Sequence, residues 1–420
     1  MTEQRRSIRH TALLRLFACL LCLFAAATTS ADTASQVDSA TGDAPPAAWV
    51  PRVGVITMGP GAEYWSRFGH NALIITQPSG PALSYNYGYF DFAQPNFLIR
   101  FVRGKMLYTL AVSDLDRELW QYGQEGRSVR LQWLRLDPGE AQALAAFLAW
   151  NAQPEHAEYR YDYFLANCST RVRDALDDAL HGRLREAGGS RSRGLTYRAE
   201  ALRLGADVPW MMLGMHLLLG PDADARLSRW NESFLPEHFA SLLAITQRDD
   251  GTPLVEETIE LLPQTIAGSA DSPPRFGGRA LLLGSLLGVV MLALHRAQGR
   301  FAHRLGRAIA ATWWLSAGVV GCVMLALWFG TDHSMAAANR NLLLFSPLAF
   351  GFLPWLALRR GPGLARATWW VCAAMTTAAC ALLFLSVRDQ DNLEWLMLSL
   401  PMLVATRWLL APPDMPSDAA

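Results

Sequence analysis

The chain has 420 residues, 37 basic and 37 acidic side chains, 51% hydrophobic residues and 18% charged ones. That balance excludes a disordered chain or one that coats nucleic acid, and it leaves apolar residues to spare for a core. The neutral total averages unlike parts: residues 1–15 carry four Arg against one Glu, residues 280–411 carry ten Arg against four acids, and the segment between them is net acidic. Asymmetry of this kind points to a membrane protein. Every base but Lys105 is Arg, so the preference for Arg is compositional and does not by itself argue for phosphate recognition.

Residues 1–30 read as a secretory signal, with a basic RRSIR at 5–9, an apolar run at 12–27 and small residues after it. An uncleaved anchor is the alternative. Residues 31–49 are small, polar and Pro-containing, and are expected to form a linker. Residues 50–272 have the composition of one globular domain. Five apolar stretches follow, at 280–294, 308–330, 342–358, 367–386 and 393–411, and are expected to form an α-helical membrane domain of five spans. Arg296, Arg300, Arg304 and Arg307 fill one loop, and Arg359, Arg360 and Arg366 fill the next but one. The positive-inside tendency then puts the soluble domain on the periplasmic side of the inner membrane, with the C-terminus and the tail 412–420 in the cytoplasm.

Of six Cys, five lie in apolar runs, so Cys168 stands alone in the soluble part and no disulfide is possible within it. That part has no G-x-S-x-G, no H-E-x-x-H, no phosphate-cradling glycine loop and no C-x-x-C. It has His70 at the entrance of a β-branched apolar run, SRFGHNALIIT at 66–76, which reads as a buried strand. Cys168 stands just before a helical pattern with Val172, Leu176 and Ala179 on one face. Asn167 is a good N-cap, and a Cys in the first turn faces unpaired N–H groups that favour a thiolate. A thiolate beside an imidazole is an activated nucleophile with its base. A buried, inert Cys and a satisfied strand-end His form the competing reading.

Read in order, FGHNALIIT, the aromatic segment 84–110, EGRSVRLQWLRL at 125–136 and NAQPEHAEYRYDYFLANCSTRVRD at 151–174 resemble a bacterial periplasmic domain family. That family, formerly uncharacterised, is named after a lipoprotein N-acyltransferase that adds the third acyl chain to lipoproteins. LTYR at 195–198 and FLPE at 234–237 extend the resemblance over roughly residues 50–245. It implies an α+β, papain-like fold in permuted order, with His70 as base and Cys168 as nucleophile. The NCSTR run at 167–171 is also similar to the Asn-Cys box of lecithin:retinol acyltransferase-like enzymes, which move acyl chains through a thioester.

Asn86, within YNYG at 85–88, is the expected orienter of His70, with Asp91 as its rival and a plain turn Asn as the alternative. Asn167, Arg171 and Tyr87 are candidate substrate-binding residues. Arg171 either binds a lipid phosphate or forms a surface salt bridge with a helix neighbour such as Asp174, and Arg198 has a similar status. His216 lies in MMLGMHLLLG and reads as a packed or membrane-near histidine. His156, His181 and His238 lack partners at ligand spacing, so neither metal nor other cofactor is expected. Trp210, Met211, Met212, Phe234 and Leu235 are either core or a lip at the headgroup level. Asp391 and Glu394 are expected near the outer end of the last span.

The leading expectation is a cysteine-dependent acyltransferase, taking an acyl chain from a phospholipid or diacylglyceryl donor and passing it to an amine such as a lipoprotein N-terminus. The alternative enzyme is a membrane-tethered papain-like peptidase or amidase, which would have a polar, water-open cleft. A non-enzymatic module, in which Cys168 and His70 do not meet, is the third possibility.

Overall fold

The computed structural model describes residues 49–91, 94–384 and 390–410. The expected signal, nearly all of the linker and the tail 412–420 lie outside them.

The soluble part is built on one seven-stranded sheet. Its strands are β1 (Val53–Met58), β2 (His70–Ile75), β3 (Leu83–Tyr89), β4 (Leu107–Asp114), β5 (Val129–Leu134), β6 (Glu158–Arg160) and, after a separate pair β7 (Arg191–Thr196) and β8 (Arg226–Ser228), β9 (Val255–Leu262). They lie in the order β6-β4-β3-β2-β1-β5-β9, and all neighbours are antiparallel. β1 reads VGVITM and buries all six residues. A strand apolar on both sides needs both sheet faces covered.

Three longer helices cover one face. Val53, Val55, Leu73, Tyr85 and Tyr87 pack there against Leu144 and Leu148 of α3 (Pro138–Asn151), Val172 and Leu176 of α4 (Cys168–Ala179), and Phe239 and Leu243 of α7 (Pro236–Ile245). The alternate residues Ile56, Met58, Ala72 and Ile74 face Leu115, Leu119 and Tyr122 of α2 (Leu115–Gln124). Full burial of Val172 and Leu176 contributes about 1.5–3 kcal/mol each, which fixes how α4 lies on the sheet. The same part also contains the helices α1 (Phe97–Val102), α5 (Tyr197–Leu204) and α6 (Pro209–Leu218).

The C-terminal part is helical: α8 (Gly277–Arg296), α9 (Arg300–Gly330), α10 (Leu353–Leu358), α11 (Pro362–Phe384) and α12 (Leu393–Leu409). The expectation of five spans is corrected here. Among the described residues three segments are long and apolar enough to cross a membrane: Gly277–Arg296, Arg300–Gly330 and Ser334–Leu358. The third is a broken one, made of 3-10 turns at Ser334–Ala336, Arg340–Leu343 and Pro347–Phe352 before α10, as Pro347 and Pro354 require. The fifth stretch gives a helix of only 17 residues with Pro401 inside it. The fourth, α11, has Arg366 within its first turns, and the residues after Phe384 up to 389 lie outside the described ones. α8 and α12 pack closely because Gly284 has no side chain: a Cβ there would stand 2.3 Å from the Leu398 carbonyl oxygen.

The two parts are joined by polar contacts. The Gly220 amide donates to the Met335 carbonyl (2.6 Å), and the side-chain amides of Asn339 and Asn341 donate to the Leu217 carbonyl (2.9 and 2.8 Å). The Asp332 amide donates to the Arg103 carbonyl (2.9 Å).

Candidate active site

Cys168 opens α4 because Asn167 stops the chain from being helical before it. The Asn167 carboxamide oxygen accepts from the Thr170 amide (2.9 Å) while the Thr170 hydroxyl accepts from the Asn167 amide (2.8 Å), a reciprocal cap. The helix start is bolted to β2. The Ser169 hydroxyl lies 2.8 Å from Asn71 Oδ1 and 2.7 Å from the Ser233 carbonyl, and Asn71 Nδ2 donates to Thr57 (2.9 Å). His70 is the first residue of β2, so its ring stands at the end of the sheet, where a helix from the opposite face reaches it.

There the His70 imidazole and the Cys168 thiol come close enough to act on one another by charge and hydrogen bonding. Nε2 of His70 lies 2.9 Å from Oδ1 of Asn86, so Nδ1 is the ring nitrogen that Asn86 does not occupy. Asn86 is held in turn: its Nδ2 donates to Ser84 Oγ (3.0 Å), to Ser113 Oγ (3.2 Å) and to the Glu118 carboxylate, which the Ser84 hydroxyl also reaches at 2.8 Å. An amide whose NH2 faces a carboxylate must turn its oxygen toward the imidazole, so Glu118 fixes which nitrogen of His70 carries the proton. Glu118 sits on α2, 32 residues from Asn86, and nothing in the sequence links the two.

The electrostatics favour an ion pair. Burial pushes the Cys168 thiol up, but the charge and hydrogen bond of His70, with the N–H groups of Asn71 and Ser169, outweigh it and hold the thiol below its ordinary range. Burial lowers His70, and the charge and hydrogen bond of Cys168, with Asn86, outweigh that and raise it. Reactive cysteines are of this kind, with a depressed thiol beside a cation and helix N–H groups.

The surroundings are aromatic. Tyr108 and Tyr161 stack at 4.0 Å, Phe90 and Tyr108 lie 5.0 Å apart, and Tyr87 meets Tyr159 edge to face at 5.9 Å. Burial and the charge on Cys168 both raise the Tyr159 and Tyr161 hydroxyls, which therefore stay neutral donors. The Tyr159 hydroxyl is buried and has no hydrogen-bond partner among the described residues. Gly88, at φ +104°, lets β3 pass this point. A Cβ there would stand 3.5 Å from Cys168 Cβ and 4.0 Å from the Tyr159 hydroxyl, so those two groups border the same space.

Several sequence candidates have other duties. Asn167 spends its amide on the cap and on the Tyr163 and Phe234 carbonyls (3.0 and 2.9 Å). Tyr87 is buried, with its hydroxyl on Asn151 Oδ1. Arg171 makes no salt bridge among the described residues; its guanidinium lies over the rings of Tyr159 (4.7 Å) and Tyr87 (5.5 Å), while Asp174 pairs with Arg173. Asn86 is the residue on His70, and Asp91 is not. Arg198 is fully buried, gripping Asp224 and the carbonyls of His216, Leu219 and Gly220. His216 is packed among Phe276 and Trp395, 3.2 Å from Glu394 on α12. Met211, Met212, Phe234 and Leu235 are core, whereas Trp210 is 53% exposed.

His238 has no partner at ligand spacing in the sequence, yet folding places Glu200 and Glu232 beside it, with ligand atoms of all three within 4.8 Å of one another. The Arg193 guanidinium lies among them, 2.5 Å from Glu200, 3.3 Å from Glu232 and 2.7 Å from His238, where a cation would stand.

The chain matches the family model described as Lnb N-terminal periplasmic domain over residues 51–201, and the Lnb transmembrane domain model over residues 280–411. Together they cover two thirds of the chain. The first contains His70, Asn86, Glu118, Tyr159 and Cys168. No curated protein and no solved structure matches the chain.

Proposed function

The chain belongs to the Lnb family, with a periplasmic domain and a membrane region in one polypeptide, and on that footing we propose that it is a cysteine-dependent acyltransferase of the bacterial inner membrane. The observation that carries this reading is the line Cys168–His70–Asn86 at the capped start of α4, in a chain that is itself anchored in lipid.

The Cys168 thiolate attacks an ester carbonyl of a phospholipid or diacylglyceryl donor. The carbon–sulfur bond forms, the carbonyl electrons move to oxygen, and helix-start N–H groups and the neutral Tyr159 hydroxyl are the donors available to that oxyanion. Collapse breaks the acyl–oxygen bond, and the imidazolium of His70 gives its proton to the departing glycerol oxygen. An amine, the N-terminus of a lipidated Cys on a lipoprotein, then adds to the thioester; neutral His70 takes its proton, the thiolate leaves, and an amide remains. No metal or cofactor enters the scheme. The aromatic surroundings suit an acyl chain better than the polar, water-filled cleft of a peptidase or amidase. A permuted papain-like arrangement and a cytoplasmic C-terminus belong to the same proposal.

Intact-mass analysis of the full chain with phospholipid tests it. An acyl adduct on the wild type, absent in Cys168→Ala, is expected. No adduct on the wild type, together with unchanged lipoprotein N-acylation in cells lacking the protein, overturns the reading.

A further inference from the structure

Helix α1 (Phe97–Val102) buries none of its residues fully. Phe97 and Phe101 stack with each other (6.3 Å), and Phe97 stacks with Phe90 (6.4 Å), so one side of the helix faces the domain. On the other side Leu98, Ile99 and Val102 are 54–55% exposed. Arg100, Arg103 and Lys105 flank them and, with Asn96 and Ile99, line an open groove of ≈ 500 Å³. Lys105 has a distant partner, Asp332 at 3.8 Å. The guanidiniums of Arg100 and Arg103 have no hydrogen-bond or ion-pair partner among the described residues.

The place of this helix matters. α9 ends at Gly330, and the next residues are tied to α1: the Asp332 amide to the Arg103 carbonyl (2.9 Å), and the His333 ring to the Phe101 carbonyl (3.2 Å). Arg160 and Lys105 both pair with the Asp332 carboxylate. One turn earlier, Trp328 and Phe329 stack at 4.6 Å and point outward, 39% and 75% exposed, as aromatic residues do at the headgroup level of a span. The backbone contact to Asp332 therefore holds α1 within a few residues of the depth at which the membrane surface begins. A helix with an apolar outer side and flanking bases at that depth lies in the interface.

From the opposite side of α1, an unbroken row of rings runs inward. Phe97 meets Phe90, Phe90 meets Tyr108 (5.0 Å), and Tyr108 stacks on Tyr161 (4.0 Å), which packs in the cluster that includes Cys168.

We propose that α1 and the groove of Arg100, Arg103 and Lys105 form the membrane-docking subsite for the anionic headgroup of a phospholipid in the outer leaflet, from which one acyl chain follows the Phe90–Tyr108–Tyr161 row to Cys168. The inference rests on the acyl-transfer reading for the chain's destination, but headgroup binding stands on the groove alone. Leu98, Ile99 and Val102 enter the acyl region, and two unpaired guanidiniums meet the phosphate. The donor is thereby named as a phosphate-bearing lipid in preference to a neutral diacylglycerol.

The test uses the full chain in nanodiscs, with Cys168→Ala so that no turnover occurs, and a phosphatidylglycerol carrying a photoreactive headgroup. Crosslinks are expected on the peptide containing residues 96–106. They should fall about tenfold in Arg100→Glu/Arg103→Glu and in the milder Arg100→Gln/Arg103→Gln, with unchanged circular dichroism. Free glycerol phosphate in excess should not compete. Absence of crosslinks there, or equal labelling in both variants, overturns the subsite; competition by free glycerol phosphate shows a soluble-anion site and overturns the membrane assignment. With Cys168 restored, the same variants should slow thioester formation from phospholipid about tenfold and leave acylation by p-nitrophenyl butyrate unchanged. Headgroup crosslinking without any acyl adduct sinks the acyl-transfer reading and leaves the groove standing. An adduct that forms equally fast in the variants sinks the groove and leaves acyl transfer standing.

Discussion

Nε2 of His70 and Oδ1 of Asn86 lie 2.9 Å apart, on adjacent strands, and the same Asn86 amide donates to Glu118 on the helix covering that face. The imidazole that meets Cys168 is thus oriented by a chain of groups reaching back through the sheet.

The first consequence is a shifted thiol titration. His70 holds the Cys168 thiol below its ordinary range and is itself raised, so each group favours the charged form of the other and the thiolate gains at the expense of the neutral thiol. Iodoacetamide modification of Cys168, followed by peptide mass mapping, should reach half its maximal rate below pH ~8.5, the usual thiol midpoint. In His70→Ala only burial and a few N–H groups remain, and the midpoint should move upward. A profile that His70→Ala leaves unmoved would show that the two side chains are uncoupled.

Asn86 acts on the site through His70. Asn86→Ala should slow thioester formation by about tenfold or more, from the loss of one hydrogen bond worth ~1 kcal/mol and of the tautomer it sets. Glu118→Gln keeps the shape but offers Asn86 a group that can present either end, so a smaller loss and a displaced pH–rate profile are expected. A residue with a purely structural role would lower protein yield and leave that profile in place.

Tyr159 separates catalysis from stability. Its hydroxyl is buried with no hydrogen-bond partner among the described residues, so Tyr159→Phe should leave thermal stability unchanged or raise it by up to ~1 kcal/mol. If that hydroxyl serves the oxyanion, the same change slows acylation of Cys168 by about 10²-fold. Normal acylation in Tyr159→Phe removes Tyr159 from the mechanism.

Asn167 is expected to behave in the opposite way. Asn167→Ala removes the cap of α4 and leaves the Tyr163 and Phe234 carbonyls without their donor. The cost is about 1–2 kcal/mol, a fall in thermal midpoint of roughly 2–8 °C for a domain of this size. Differential scanning calorimetry of the full chain in detergent measures it. No change in midpoint would mean that another group takes over the cap.

Some of the site was legible because its signals are local. The apolar β-branched run after His70 and the Asn-Cys step before a helical pattern place one residue on a strand end and the other on a helix start, and the structure has them there. Asn86 could be nominated from its position in the following segment, though a turn Asn fitted equally well. Asn71 and Ser169 were missed although each adjoins a named residue, because their role is to hold α4 against β2 and only the packed pair displays it. Glu118 left no trace, since helix α2 reads as an ordinary amphipathic surface helix until it is laid on the sheet.

The membrane part divides in the same way. Apolar length alone marked residues 280–411 as a membrane region, because transfer of a long apolar run from water depends on composition and hardly on neighbours. The number of continuous spans was over-read, since Pro347, Pro354 and Pro401 turn apolar stretches into broken or short helices. Composition determined that an acidic outer domain with one Cys is tied to an Arg-rich membrane part. Only tertiary packing decided what meets what: Glu118 behind Asn86, Arg193 among Glu200, Glu232 and His238, and α1 beside the end of α9. Most of those contacts join residues tens to hundreds of positions apart, and their energies depend on desolvation and geometry that no local pattern contains.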